Sequence, residues 1–188
     1  VTGPSFDTYE NYQFPLHSWK IICNSTVKNY QFLDYIGSAD VIVFADPVFH
    51  FSSNNYSKAF REDLIQQVIK YQIFVAVPNY TVPLLLNHYP QLKDFIIGID
   101  VTYSKFSIPT KNSLKVKTSG NILTLLMLPL AGALAKDIHI LGADGRLPKG
   151  ENYFWRHSKT AQYNDELMDS VKEAHPTFFK DQSYQDYY

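Results

Sequence analysis

Apolar residues in this chain come in short unbroken runs, separated by segments of helical period. WKIICN (19–24), DVIVFADP (40–47), QIFVAVPN (72–79), DFIIGID (94–100) and DIHILGADG (137–145) share one form. Each is β-branched or aromatic, continuous rather than alternating, and closed by Asn, Asp, Pro or Gly. Runs of this length and continuity predict strands buried on both faces. Between them, residues 57–71 place Phe60, Leu64, Val68 and Tyr71 at helical spacing. Residues 119–136 are apolar nearly all round, which predicts a central helix. Residues 160–174 carry Leu167 and Val171 on one stripe. Residues 103–120 are the least regular and read as a loop or a small β excursion. Strands alternating with helices predict an α/β domain, a mainly parallel sheet with helices on both faces. No internal repeat or low-complexity tract is visible.

Open α/β sheets bind ligands beyond the carboxyl ends of their strands. That rule selects Thr2-Gly3-Pro4-Ser5, Asn24, Asp46-Pro47, Pro78-Asn79 and the run from Gly142 to Arg146.

Length and composition narrow the picture. The 188 residues suit one domain with a sizeable core. The net charge of -1 gives no basic field for nucleic acid. Cys23 is the single cysteine, so an internal disulfide and cysteine-rich zinc sites are excluded, and a reducing compartment fits best. No signal peptide is visible. The longest apolar stretch, 122–135, is interrupted by Pro129 and Gly132 and falls short of the roughly 20 residues that a membrane span needs. The expected location is the cytoplasm, with association at the inner membrane surface still open. The abrupt start on VTGPS and end on QDYY are those expected of a piece of a longer chain. The 14 tyrosines and 13 phenylalanines fill cores, and such rings also line sugar and base pockets.

Several constellations carry candidate chemistry, each beside a plainer reading. In TGPSF (2–6), Gly3 permits a sharp turn, and Pro4 and Ser5 can open a helix whose N–H groups face an anion. The same residues make an ordinary strand-to-helix turn. In KTSGN (117–121), Thr118 and Ser119 begin the most apolar helix, with Lys115 and Lys117 adding positive charge. That pattern favours phosphate, or it is simple N-capping. In LGADGR (141–146), Asp144 can bind a ribose or base or cap the next turn. Arg146 can neutralise a leaving phosphate or stand in solvent. In WRHSK (155–159), His157 opens a predicted helix after an aromatic run. An imidazole there is a candidate general base. The other five histidines, His17, His50, His88, His139 and His175, read as surface or satisfied core residues. There is no His-Glu-x-x-His and no Asp-x-Asp pair, so no metal site is expected.

Taken in order, these motifs resemble the bacterial CMP-sialic-acid-dependent sialyltransferases of glycosyltransferase family 42 and their wider relatives. The family's Gly-Asn-Gly-Pro-Ser loop is met by Val1-Thr2-Gly3-Pro4-Ser5, and its Cys-Asn strand end by Cys23-Asn24. Its Asn-Pro is met by Asp46-Pro47, and its Thr-Ser-Gly by Thr118-Ser119-Gly120. Its Gly-x-Asp is met by Gly142-Ala143-Asp144, and its His-Ser-Lys by His157-Ser158-Lys159. The resemblance spans almost the whole chain. It implies a Rossmann-like fold in a single nucleotide-sugar-binding domain over residues 1–188. Thr2, Gly3, Pro4, Ser5, Asn24, Asp46, Pro47, Thr118, Ser119, Gly120 and Asp144 would hold CMP. His157 would be the base, and Arg146 would stand where the family has a tyrosine on the departing phosphate. Residues 145–157 would form a shortened lid, with Tyr153 and Arg156 facing the substrate. The implied activity is metal-independent transfer of sialic acid or a related acidic sugar from a CMP-sugar to a glycan hydroxyl, in surface polysaccharide biosynthesis. No cofactor is implied beyond the donor itself, and the partners are that donor and a glycan acceptor. The chain departs from the family at Val1, Thr2, Val116 and Asn152.

Two other readings remain. The 6-hydroxymethylpterin diphosphokinase-like family has a similar Gly-Pro-Ser opening and sheet. It implies ATP, Mg²⁺ and metal-ligating roles for Asp46 and Asp144. The third is a non-catalytic nucleotide- or glycan-binding domain.

Overall fold

The computed structural model describes residues 1–103, 108–110, 112–144, 158–163 and 165–174. Five strands form one parallel sheet: β1 (Ile21–Cys23), β2 (Val41–Val43), β3 (Phe74–Pro78), β4 (Ile96–Thr102) and β5 (Lys115–Lys117). They lie side by side in chain order, with Ile22 opposite Ile42, Ile42 opposite Val75, Val75 opposite Ile96, and Val101 opposite Val116.

Continuous apolar runs serve this sheet because both faces are covered. Ile22, Ile42, Phe44, Val75 and Val77 point into one core. That core holds α1 (Tyr30–Ile36), α3 (Asn55–Tyr71) and α6 (Asp165–Ala174) through Leu33, Phe60, Leu64, Val68 and Val171. The alternate residues Cys23, Val41, Val43, Ala76, Ile99 and Val116 face a second core, closed by Leu125, Leu126 and Met127. Those three belong to a π-turn helix, Leu123–Met127, that runs on into α5 (Leu128–Leu134). Period 2 along each strand therefore sends successive side chains to opposite helical layers.

Local chemistry sets the helix limits. The Asn29 side chain accepts from Phe32 N and starts α1, and Gly37 ends it at φ 71, in the left-handed region. Asn54 caps α3 by accepting from Ser57 N. Asp46 caps α2 (Pro47–Phe51), with Pro47 in its first turn. A further helix, α4 (Val82–His88), follows β3.

One predicted strand does not form. Residues 137–144 of the 137–145 run are irregular, and Ile138 and Ile140 are 43% and 48% exposed. Hydrophobic pattern gives a segment an apolar character, but a strand also needs a partner ladder, and no described strand pairs with these residues. The fifth strand comes instead from the irregular 103–120 region, where Asp100 lies opposite Lys115. Among the described residues no helix is long and apolar enough to cross a membrane.

Candidate functional site

The first residues of the chain are locked to residues 141–144. The Val1 amino group donates to Leu141 O at 2.8 Å, and Gly3 N donates to Gly142 O at 2.9 Å. Ser5 N donates to Asp144 Oδ2 at 2.8 Å. The fit depends on two missing side chains. A Cβ on Gly3 would stand 2.3 Å from Asp144 Oδ2 and 2.6 Å from Gly142 O. Gly142 has φ 76, and a Cβ there would stand 2.3 Å from Val1 O.

This contact changes what the loop offers a ligand. Pro4 has no N–H, Gly3 N and Ser5 N are engaged, and Phe6 N donates to Gly3 O at 3.0 Å. The loop therefore presents no open row of amides to a phosphate. Pro4 opens a 3-10 turn, Pro4–Asn11, and Asp144 Oδ2 accepts from Ser5 N in its first turn. Asp144 Oδ2 thus serves a turn 139 positions earlier in the chain.

A third segment joins the same place. Ser158 N donates to Thr2 O at 2.9 Å, and Ser158 Oγ donates to Asp7 Oδ1 at 2.6 Å. Lys159 N donates to Asp7 Oδ2 at 2.9 Å, and Thr160 donates to Asp7 Oδ1 through Oγ1 at 2.6 Å. Ser158 is fully buried. Burial pushes the Asp7 carboxyl up, but hydrogen bonds from Ser158, Thr160 and Lys159 outweigh it and leave the pKa below the usual value. Farther along the turn, Lys28 Nζ donates to Gln162 O. Burial lowers the Lys28 pKa, against the raising influence of Asp63 and Asp7. Asp63 accepts from the hydroxyls of Tyr30 and Tyr163. Burial and that carboxylate raise the Tyr30 phenol to about 12. Segment 158–163 is thus pinned at both ends to the elements that follow the Gly-Pro-Ser loop and β1.

The other predicted residues spread along the carboxyl rim. Asn24 follows β1 with φ 48, a left-handed position that asparagine tolerates. Asp46 follows β2, and its Oδ1 accepts from Val48 N at 2.8 Å and Phe49 N at 3.3 Å, while Pro47 begins α2. Thr118 follows β5 and donates its N–H to Thr102 O at 2.8 Å. Asn121 caps the helix, accepting from Thr124 N at 3.0 Å, so neither Thr118 nor Ser119 is the cap. Ser119 Oγ pairs with Thr124 Oγ1, and Gly120 is exposed between them. β1 and β5 are opposite edges of the sheet, four spacings or about 19 Å apart. The helix beginning beyond Gly120 returns over the sheet and packs on both.

The structure therefore joins Thr2, Gly3, Ser5 and Asp144 with the turn that follows His157. It leaves Asn24, Asp46 and Thr118–Gly120 at separate strand ends. His157, Arg146, Tyr153 and Arg156, with the 145–157 lid, lie outside the described residues. Asp7 and Lys28 were not legible in the sequence, because nothing in FDTYEN or NSTVK marks a residue that bonds a segment more than 130 positions away. Among the described residues no group of three or more His, Cys, Asp or Glu side chains is placed to hold a metal ion. No family model, curated protein or solved structure matches this chain.

Proposed function

We propose that this chain is a metal-independent glycosyltransferase that moves an acidic sugar, sialic acid or a relative, from a CMP-sugar to a glycan hydroxyl. The observation that supports it most is the Ser158 anchor. Ser158 and Lys159 are fastened beside the Gly-Pro-Ser loop, through Thr2 O and Asp7. These are the two motifs that the family resemblance assigns to acceptor activation and donor binding. Ser158 and the loop are separated by most of the chain and adjacent in the fold.

In this reading His157 accepts the proton of the acceptor hydroxyl. The hydroxyl oxygen attacks the anomeric carbon, and the bond from that carbon to the CMP phosphate oxygen breaks. Arg146 carries the growing phosphate charge, since the Thr118 N–H is already given to Thr102 O. The Gly3–Ser5 loop contributes shape rather than amide donors, since its N–H groups are engaged. Asp144, exposed and bonded through Oδ2, has its second oxygen for a ribose hydroxyl.

A thermal-shift screen against CMP, CDP, UDP, GDP and ATP, with and without Mg²⁺, tests the donor class. Stabilisation by CMP without Mg²⁺ is expected. A shift only with ATP and Mg²⁺ would replace this reading with the diphosphokinase-like one. His157→Ala should keep CMP binding and lose transfer, and unchanged turnover in that variant removes the mechanism.

A further inference from the structure

The two edges of the sheet are built differently. β5 carries a lysine at each end, Lys115 and Lys117, a pattern that discourages further pairing. β1 is Ile21-Ile22-Cys23, apolar and uncharged. Val41 N donates to Lys20 O, and Ile22 lies opposite Ile42. Backbone groups alternate in direction along a strand, so those of Lys20 and Ile22 face β2, and those of Ile21 and Cys23 face outward. Among the described residues no backbone hydrogen bond reaches Ile21 or Cys23 from that outer side. Residues 137–140 are open in the same way. No backbone bond joins them to another described residue, and Ile138 and Ile140 are about half exposed. Residues 1–3 join the two segments at their carboxyl end. Val1 N donates to Leu141 O and Gly3 N to Gly142 O, ascending against ascending numbers, as in parallel pairing. Val1 packs against the core that contains Cys23, and Leu141 against the core that contains Ile22. Both cores therefore continue past β1, one on each face.

We propose that β1 and residues 137–141 form a docking edge for one β-strand of a partner protein, lying parallel to β1 and in line with Val1. A strand is the occupant because the open groups are main-chain donors and acceptors on two sides. A helix satisfies its own backbone, and a lipid tail has no such groups to offer. The chemistry of the strand follows from its two faces. Alternate side chains enter the Cys23 core and the Ile22 core, both apolar, so a run of about five β-branched or aliphatic residues without charge fits. Proline is excluded, because main-chain N–H groups supply the affinity in strand addition. The strand that a second copy offers at its own edge, β1, is three residues long and leaves part of 137–141 uncovered. The docking edge does not depend on the transferase reading, which assigns no role to residues 21–23 or 137–141.

The test is titration of the ¹⁵N-labelled chain with the peptide acetyl-Lys-Lys-Val-Ile-Val-Ile-Val-amide and with the same peptide carrying Pro for its central Val. The lysines lie beyond the amino ends of the strands and keep the peptide soluble. The all-β-branched peptide should give saturable amide shifts centred on residues 21–23 and 137–141. It should slow amide exchange at Ile21 and Cys23 and raise the melting temperature as its concentration rises. The proline peptide keeps the apolar character but loses a ladder donor, and should bind about tenfold or more weaker. Ile138→Lys/Ile140→Lys should weaken the first peptide by a similar factor. Both side chains are exposed, so the melting temperature of that variant without peptide should match the parent. Absence of a saturable shift, equal binding of the two peptides, or shifts centred elsewhere overturns the docking edge. Protection of the same amides without peptide, rising with protein concentration alongside a dimer in sedimentation, assigns the edge to a second copy and overturns the partner strand.

Discussion

Asp7 and Ser158 are 151 positions apart in the chain, and Ser158 Oγ donates to Asp7 Oδ1 at 2.6 Å. One carboxylate thereby organises a whole turn, since Lys159 N and Thr160 also donate to it. Charge-assisted bonds of this kind are the stronger class.

Asp7→Ala should destabilise the chain by about 1–3 kcal/mol, because it leaves the buried Ser158 hydroxyl and the turn amides without their acceptor. Urea denaturation at pH 7 measures this. The pH dependence has a definite sign. The folded carboxyl is held below its ordinary value of 3.8, so its contribution is present above that value and is lost as pH falls through the lower folded value. Asp7→Asn should flatten the acid limb of the stability curve below about pH 4.

Gly3→Ala should cost about 1–3 kcal/mol through overpacking. Backbone strain is not the cause, since φ is -71 there. Adding Asp144→Ala should recover only part of the loss, because Gly142 O also lies 2.6 Å from the new Cβ and cannot be removed by a side-chain change. Urea midpoints of the single and double variants decide this.

Gly98→Ala should displace the Asn79 amide, since a Cβ at position 98 would stand 2.5 Å from Asn79 Oδ1. A double-mutant cycle with Asn79→Ala should show a coupling of about 0.5–3 kcal/mol, with the alanine at 98 better tolerated once residue 79 is short. Additive effects would mean that the two positions do not share that space.

His50 is fully buried among Phe44 and Phe60, with Nδ1 2.7 Å from Asp46 O. Burial lowers its pKa to about 4. The unfolded chain therefore takes up a proton near pH 6.5 that the folded chain refuses until near pH 4, and stability falls across that window. The loss should approach about 3 kcal/mol. In His50→Leu that slope should be absent, as read from urea midpoints at pH 7 and pH 4.5.

Much of the scaffold was legible from local pattern. The runs at 19–24, 40–47 and 72–79 contain β1 to β3, the run at 94–100 covers all of β4 but its last two residues, and the 57–71 repeat lies within α3. Leu167 and Val171 both join the core, as their shared stripe requires. Residues 137–144 have the apolar content of a strand and no ladder, whereas Lys115–Lys117, inside the segment read as a loop or a small β excursion, has a lysine at each end and a ladder with β4. Thr118 and Ser119 resemble caps, and Asn121 does the capping.

The amino-acid sequence by itself determined which of the first four strands must be covered on both faces and which polar residues follow them. Burial demand and capping act over a few neighbouring residues, so they are written locally. Only the tertiary structure decided which strand ends meet. The Ser5–Asp144 bond, the grip of Asp7 on Ser158 and the seat of Asn79 beside Gly98 join residues 19 to 151 positions apart. Such contacts depend on the order of strands in the sheet and on atoms that are absent, which no local pattern records.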